Sequence, residues 1–290
     1  MRVKKRYMVF FLLPCILLFA LVYLLPIIIV LFTSFYEWKA GGIFQFIGLD
    51  NYIKAILEDT RMHTALKNTG IWALLQSVIH VGIGTTTALL LSRRRKGWKL
   101  LRTVYMIPNV ISASALGVIF LNVFNPKYGL VNSFISLVTG EKFAKNWYFD
   151  QNSAFFTVTL SWLLYAGLVT ILVLAGLASI SEDVLEAAKI DGASTLQIDL
   201  FIRLPLTRTV IGTSVIIAAT SMLREFELIY LTTNGGPGIT TLNLPLYLYK
   251  TSLMDNNYGY ANMMGVVLII LGVIAVFAIN KIFRMNEADY

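Results

Sequence analysis

Charged side chains are scarce in this sequence, at 14% of its 290 residues, whereas hydrophobic side chains make up 57%. Soluble domains of ordinary composition carry about 25% charged residues. The deficit therefore excludes a soluble enzyme and predicts a protein that crosses a membrane several times. The net charge of +8 does not indicate nucleic acid, because the basic residues cluster beside apolar runs, where they set the orientation in a membrane.

Cysteine and histidine are almost absent, with one and two residues respectively. Cys15 excludes an intrachain disulfide and a multi-cysteine metal site, and its apolar surroundings favour a packing role. His80 lies in an apolar run without an acidic neighbour, so a hydrogen bond between packed helices is favoured over a role as proton or substrate ligand. The sequence contains no catalytic constellation, metal site or ATP-binding motif, and it predicts a protein that is not an enzyme.

Apolar runs of membrane-spanning length recur along the chain and predict an all-α membrane protein with one transmembrane domain, 1–290. The first run, uncharged from Tyr7 to Tyr36, is about twice as long as the apolar core of a signal peptide. Lysine and arginine number 15 in one set of alternate connections and 9 in the other, which predicts that both termini are cytoplasmic. The six predicted spans are 8–32, 69–92, 103–124, 153–178, 207–231 and 259–281.

The connection before the third span is strongly basic, with six cations within residues 93–102. Its simplest role is to hold this connection in the cytoplasm. Binding to anionic lipid is the alternative. In the span that follows, we expect Pro108 to bend the helix near its start, with Asn109 and Ser112 satisfying the freed backbone groups.

The fifth span is interrupted by charge. Its uncharged run stops at Leu223, and the sequence Arg224-Glu225-Phe226-Glu227 follows. One interpretation ends the helix at Arg224. The favoured one continues it to about Leu231, because 15 uncharged residues make a short span, and Arg224 and Glu227 could then pair on one face.

A polar stretch with helical character, residues 179–205, separates the fourth and fifth spans. Ser179 with Glu182 has the spacing of a capping box, and Gly192 supplies the backbone freedom that ends a helix. Ser194 with Gln197 repeats the capping-box spacing, and the second helix is expected to end near Pro205. The stretch therefore predicts a helix, a tight turn and a second helix on the membrane surface.

This hairpin resembles the EAA motif of binding-protein-dependent ABC importer permeases. The matching residues, each at the family's spacing, are Glu186, Ala187, Ala188, Gly192, Ile202, Leu204 and Pro205. The resemblance implies a coupling hairpin that sits in a groove of a cytoplasmic ATPase. The residues implied in this coupling are Glu186, Ala187, Ala188, Asp191, Gly192, Ala193, Leu204 and Pro205.

A second resemblance, to sugar-type permeases and in particular to the F-like member of maltose transporters, follows the fifth span. It rests on Leu228-Ile229-Tyr230, Thr233, Gly235–Gly238, Leu246–Tyr249 and Tyr258–Ala261. Gly235, Gly236, Pro237 and Gly238 must form a turn, and the resemblance implies that this turn faces a binding protein. A phosphate-binding glycine loop is excluded, because no Gly-Lys-Ser or Gly-Lys-Thr follows.

The resemblance implies a complete ATP-driven importer in a bacterial cytoplasmic membrane, embedded in membrane lipid and without nucleic acid. Its other members are expected to be a second homologous permease, two cytoplasmic ABC ATPase subunits and an extracytoplasmic solute-binding protein. ATP and Mg²⁺ belong to the ATPase subunits, and this chain is expected to hold no cofactor of its own.

The family builds its substrate cavity from the fourth and fifth spans. The corresponding residues are Trp162, Tyr165, Ser221, Arg224, Glu225 and Glu227. Aromatic rings beside carboxylates suit a sugar or oligosaccharide, although Trp162 and Tyr165 can equally be helix-packing residues. Arg224 leaves an anionic solute open, such as glycerol phosphate or a uronic-acid oligosaccharide. An ion-coupled secondary transporter is the remaining alternative.

Overall fold

The computed structural model describes residues 5–285, with side chains described from residue 11 onward. The first basic residues, Arg2 and Lys4, and the end of the predicted tail lie outside the described residues. The described chain is predominantly helical. Helices α1 to α17 are Lys5–Phe19, Leu25–Thr33, Asp50–Leu57, Thr60–Leu75, Val81–Ser92, Trp98–Val110, Ala113–Val123, Leu130–Thr139, Ala154–Leu163, Gly167–Ala178, Glu182–Ile190, Thr195–Ile198, Leu204–Leu206, Arg208–Met222, Glu227–Thr232, Leu244–Leu253 and Tyr258–Ile282.

Three π-helical turns join consecutive helices without interrupting them. Ala20–Leu24 joins α1 to α2, Gln76–His80 joins α4 to α5, and Asp199–Arg203 joins α12 to α13. Two of these turns lie inside predicted spans, so the first and second spans are continuous helices.

Membrane-spanning helices are present in the number that the sequence predicts, if bent pairs are counted as single spans. Among the described residues, four helical segments are long and apolar enough to cross by themselves, namely Phe11–Thr33, Thr60–Ser92, Ala154–Ala178 and Tyr258–Ile282. Two further spans consist of bent pairs, α6 with α7 at 104° and Thr195–Leu206 with α14 at 70°. The predicted fold class, an all-α membrane protein, is confirmed.

The third span bends later than predicted. Helix α6 continues through Pro108 to Val110, and the bend lies at Ile111 and Ser112. Ser112 has an extended backbone, and its hydroxyl accepts a hydrogen bond from the Ala115 amide at 3.3 Å. A serine N-cap therefore starts a new helix at this point, and the proline alone does not set the bend.

The prediction that the fifth span continues as one helix to Leu231 is wrong. Helix α14 ends at Met222, and α15 starts at Glu227. The Glu225 carboxylate accepts a hydrogen bond from the Leu228 amide at 3.1 Å, and the Glu225 carbonyl accepts one from the Asn243 side chain. These bonds satisfy the backbone at the break, so the charged residues stand in a connection between two helices.

One compact unit comprises the residues up to His63 together with Tyr247–Ile270. It contains an antiparallel hairpin of β1, Tyr36–Lys39, and β2, Ile43–Phe46, which the sequence did not predict. Tyr36 pairs with Phe46, and the turn has positive φ at two glycines. Helix α17 begins against β1, where a Cβ on Gly259 would lie 2.0 Å from the Tyr36 carbonyl oxygen. Only glycine permits this approach.

The second compact unit comprises Thr64–Leu246 and the residues from Leu271 onward. Its apolar core lies among α5, α10 and α14, with a contribution from the end of α17. Gly84 allows α5 to pack closely on α10, since a Cβ there would lie 2.6 Å from Val169. The buried residues of this core are Val81, Ala88, Ala166, Val169, Val173, Leu177, Val215, Ala218, Ala219 and Ile279.

Candidate functional site

The fourth span is broken near its middle, which the sequence did not predict. Helix α9 ends at Leu163, α10 starts at Gly167, and the three residues between them are not helical. A membrane offers no water to hydrogen-bond the backbone groups that such a break frees. Other side chains of the protein have to bond to them.

Three polar side chains from elsewhere in the chain bond to the carbonyl groups of this break. The bonds are His80 Nδ1 to the Leu163 oxygen at 3.0 Å, Tyr105 Oη to the Leu164 oxygen at 2.8 Å, and Asn109 Nδ2 to the Tyr165 oxygen at 3.3 Å. The prediction that His80 forms a hydrogen bond between packed helices is confirmed, and its partner is a backbone carbonyl. Broken membrane helices of this kind mark substrate sites in transporters.

Gly167 is required at the start of α10 because α6 passes directly against it. A Cβ at this position would lie 2.4 Å from Asn109 Nδ2 and 2.8 Å from the Tyr105 carbonyl oxygen. The Asn109 side-chain oxygen also accepts a hydrogen bond from the Leu168 amide at 3.3 Å. The end of α6 therefore bonds both to the break itself and to the first turn of α10.

The helices that follow the breaks of the third and fifth spans pack on each other. Helix α15 packs on α7, where Gly117 lies beneath Leu231, and the Ser114 hydroxyl donates a hydrogen bond to the Glu227 carboxylate. Both side chains stand in the first turn of a helix that follows a break. The broken third and fifth spans thus bring a hydroxyl and two carboxylates, those of Glu225 and Glu227, to one region of the molecule.

The residues predicted to line a substrate path have different environments. Trp162 is only 4% exposed and therefore packs between helices in this conformation, although its indole N–H has no partner among the described residues. Tyr165 is half-buried in the break of the fourth span. The Ser221 hydroxyl bonds to its own helix, at the Ala218 carbonyl.

Arg224 does not form the predicted pair with Glu227. Its side chain is exposed and makes no ion pair with any residue that the structure describes. The break after α14 removes the three-residue helical spacing on which the pairing depended. The guanidinium is therefore left as a free positive charge close to two carboxylates in sequence.

The hairpin between the fourth and fifth spans has the predicted form, with one change at its start. The cap of α11 is Ser181, which accepts a hydrogen bond from the Asp183 amide at 3.3 Å, whereas Ser179 bonds backwards to the Gly176 carbonyl. Gly192 has φ +80°, the left-handed conformation that ends a helix. The capping box of Ser194 and Gln197 is confirmed, with both reciprocal bonds formed.

The tip of the hairpin is open to solvent. Glu186, Ala187, Asp191 and Gly192 are exposed, and a Cβ on Gly192 would touch nothing within 4 Å. Large apolar side chains of the hairpin are also exposed, and these include Ile190 at 85%, Leu196 at 64% and Phe201 at 75%. Apolar side chains concentrated on one exposed element are typical of a protein-binding surface.

The second half of the hairpin is fixed to the membrane core by a buried carboxylate. Asp199 has a side chain 4% exposed and pairs with Arg93 at 2.6 Å and with Arg203 at 2.8 Å. Arg93 follows the end of α5 and belongs to the basic connection. At least one cation of that connection therefore has a structural role that the sequence did not indicate.

The glycine turn after the fifth span is held by residues from the start of the second span. Gly235 and Gly238 have φ of +85° and +60°. The Asn68 side chain donates hydrogen bonds to the Thr240 and Leu242 carbonyls at 2.9 and 2.8 Å. The turn that contains Pro237, between Gly236 and Gly238, is therefore an ordered surface rather than a loose loop.

A tyrosine-carboxylate cluster orders the first compact unit. The Asp59 carboxylate accepts hydrogen bonds from the Tyr247 and Tyr260 hydroxyls, each at 2.6 Å. Burial alone would raise the pKa of Asp59, but these two bonds and the backbone amides of Met62 and Arg61 hold that pKa below its ordinary value. The cluster therefore joins Asp59 to two tyrosines that lie almost 200 positions or more away along the chain.

Comparisons with known proteins agree with this geometry. Residues 80–285 match the family described as binding-protein-dependent transport system inner membrane component. The multiple sugar-binding transport system permease of Streptococcus mutans is 32% identical over 253 residues, 86% of each chain. The arabinooligosaccharides transport system permease of Bacillus subtilis is 31% identical over 272 residues, 92% of this chain and 85% of that one.

A solved structure shares the fold. A chain of a bacterial alginate ABC transporter, determined in complex with an alginate pentasaccharide-bound periplasmic protein, superposes with a TM-score of 0.84 at 22% identity. The match covers 97% of this chain and 95% of that chain.

Proposed function

The chain belongs to the family of binding-protein-dependent transport system inner membrane components, and from this premise we propose that it is the permease subunit of an ATP-driven importer of a sugar or oligosaccharide. Its multi-pass membrane fold is consistent with that role. The observation that carries the proposal is the exposed hairpin between the fourth and fifth spans, whose tip is open to a soluble partner while its base is tied to the membrane core.

The proposed partner at the hairpin is a cytoplasmic ABC ATPase, two copies of which would carry ATP and Mg²⁺. Glu186 offers a carboxylate and Ile190 an apolar side chain on the same exposed helix. Gly192 permits the turn between the two helices of the hairpin. Closure of the ATPase dimer would move this hairpin and, through it, the spans on either side.

The proposed substrate path follows the breaks of the third, fourth and fifth spans. Tyr165 supplies an aromatic face, and Ser114, Glu225 and Glu227 supply hydrogen-bonding groups of the kind that hold sugar hydroxyls. Trp162 would join the path only after a movement of the helices, since it is buried in this conformation. The sugar transport named for the relatives supports this assignment.

An anionic solute, such as glycerol phosphate or a uronic-acid oligosaccharide, is the second candidate. Arg224 is exposed and forms no ion pair with the described residues, so it remains available to a carboxylate or phosphate. The alginate specificity named for the structural neighbour concerns an acidic polysaccharide, but its 22% identity supports the fold alone.

The remaining assembly follows from the same proposal. A second homologous permease would complete the path, and an extracytoplasmic solute-binding protein would dock near the glycine turn 235–238. Both termini and the hairpin would then lie in the cytoplasm, as the distribution of lysine and arginine indicates.

The test is uptake of a labelled panel of monosaccharides, oligosaccharides and glycerol phosphate by cells that carry the wild-type chain, no chain, or the Gly192→Asp variant. We expect one sugar to enter with the wild type and not with the variant, which should also lose co-purification with the ATPase. Gly140→Asp is the matched control, because Gly140 is likewise an exposed glycine with positive φ and open space around it.

Uptake that persists in Gly192→Asp, or that needs only an ion gradient, contradicts the proposal and favours a secondary transporter. Uptake of glycerol phosphate alone, lost in an Arg224→Gln variant, favours the anionic solute.

A further inference from the structure

A cavity of about 500 Å³ opens on the protein surface at the connection between α5 and α6. Its lining residues are remote in sequence from Glu225 and Glu227. Its walls are apolar and its rim is basic. The walls include Leu90, Leu100, Leu101 and Val104, and the rim includes Arg95 and Lys96. The chemistry of this cavity matches neither the proposed sugar path nor the exposed hairpin.

The apolar walls are not covered by other described parts of the chain. Leu100 is 71% exposed, Leu101 56% and Leu90 56%. In a protein that spans a membrane, apolar side chains exposed to this degree face lipid or another membrane subunit. The walls alone do not distinguish the two occupants.

The basic rim distinguishes a lipid from another membrane subunit. Arg93 is neutralised by Asp199, but Arg95 and Lys96 are exposed and form no hydrogen bond or ion pair through their side chains within the described part of the chain. Two unpaired cations above an apolar cavity complement an amphiphile with a negative head and a hydrocarbon tail.

We propose that this cavity binds an anionic phospholipid, with the phosphate on Arg95 and Lys96 and the acyl chains along Leu100, Leu101 and Val104. The lipid would hold the basic connection, and thereby Arg93, in place beside the hairpin. A soluble phosphate would satisfy the cations but leave the leucine side chains in water, so a lipid is the occupant that fits both features.

The probe for this site is Trp98, which lies on the cavity wall. The full chain is reconstituted in nanodiscs that contain a fixed fraction of brominated lipid, either anionic phosphatidylglycerol or zwitterionic phosphatidylcholine. Bromine quenches a nearby indole, and the signal lost in a Trp98→Phe variant isolates this residue from the other tryptophans, of which the sequence has four. We expect stronger quenching of Trp98 by the phosphatidylglycerol at equal mole fraction.

The preference should depend on the two cations. Each lysine or arginine near an anionic surface raises affinity about fivefold, so Arg95→Gln with Lys96→Gln should weaken the phosphatidylglycerol preference by roughly 25-fold. The charge-conserving Arg95→Lys with Lys96→Arg should retain it. Lys127→Gln with Lys142→Gln, which removes two exposed lysines from another connection, is the matched control and should leave it unchanged.

Three outcomes overturn the proposal. Equal quenching by the two lipids in the wild type would show that the cavity does not select an anionic head, as would a preference that the double glutamine variant keeps. Relief of quenching by millimolar glycerol phosphate would show that the occupant is a soluble phosphate. A fall of the wild-type preference with rising salt supports the proposal without any substitution.

Discussion

Removal of the Asp199 carboxylate should destabilise the protein more than removal of any exposed acid from the same hairpin. Asp199 is buried and holds two guanidinium groups, those of Arg93 and Arg203, at 2.6 and 2.8 Å. In Asp199→Asn the volume is retained, but both cations lose their counter-ion. The test therefore isolates charge from packing.

The magnitude follows from the burial of the three groups. Loss of one partner from a fully buried ion pair costs about 3–5 kcal/mol of unfolding free energy. The side chains of Arg93 and Arg203 are 27% and 18% exposed, so water partly compensates them. We therefore expect the lower end of the range, about 3 kcal/mol, which corresponds to a fall of roughly 6–12 °C in the unfolding midpoint.

The assay is thermal unfolding of the purified chain in detergent, with Asp183→Asn as the control. Asp183 lies in the same hairpin, is exposed, and forms no ion pair with the described residues. Its amide variant should cost less than about 1 kcal/mol, the limit for a charge at an exposed helix start.

A double variant sharpens the test. If Asp199 acts through its cations, Arg203→Met should lower the cost of Asp199→Asn, because one unpaired charge is then removed. Equal midpoints for Asp199→Asn and Asp183→Asn, or strictly additive costs in the double variant, would refute the ionic explanation.

Three further changes test other parts of the structure. Gly259→Ala places a Cβ 2.0 Å from the Tyr36 carbonyl and should cost about 1–3 kcal/mol in thermal unfolding, whereas Gly70→Ala, with open space around it, should be neutral or stabilising. Tyr105→Phe removes the donor to a carbonyl of the broken fourth span, and should cost about 1 kcal/mol and slow sugar uptake. The folded state lowers the pKa of Asp59, so its carboxylate stabilises the fold at pH values above the unfolded-state pKa near 4. This stabilisation is lost as the pH falls through the folded-state pKa. The unfolding midpoints of wild type and Asp59→Asn should therefore differ at pH 6 and converge in strong acid.

The sequence predicts the spans and the hairpin because both depend on local patterns. An uncharged run such as 69–92 forms a helix in a membrane whatever its neighbours are. The capping box of Ser194 and Gln197 joins residues three apart, and Gly192 acts through its own backbone. These features need no knowledge of the tertiary structure.

The breaks in the spans are not local, which is why the sequence indicates them poorly. The break after Leu163 has its carbonyls satisfied by residues such as Tyr105, 59 positions from its partner. The break at Glu225 depends on Asn243, which lies 18 positions away. Such contacts do not change the hydrophobicity along the chain. The sequence therefore predicts a continuous fourth span, and it predicts a fifth span that continues beyond its actual end.

The position of the breaks relative to the hairpin has a mechanical consequence. The second half of the hairpin, Thr195–Leu206, continues into α14 through a 70° bend at Thr207, whose hydroxyl bonds to the Arg203 carbonyl at 2.7 Å. Asp199 fixes this half to Arg93 at the end of α5. A force on the hairpin therefore reaches α14 along a continuous, hydrogen-bonded path.

Helix α14 ends at Met222, just before the break that contains Glu225, so a displacement of α14 acts on this break rather than on the middle of a rigid span. A continuous fifth span would move Glu227 together with α14, but the observed break lets α15 remain on α7, where Glu227 bonds to Ser114. The Glu225 carboxylate bonds to the Leu228 amide in the first turn of α15, so both carboxylates should stay with α15 when α14 moves. In the proposed importer, a cysteine at position 227 should therefore cross-link to one at position 114 whether or not ATP is present, and a cross-link that depends on ATP would contradict this reasoning.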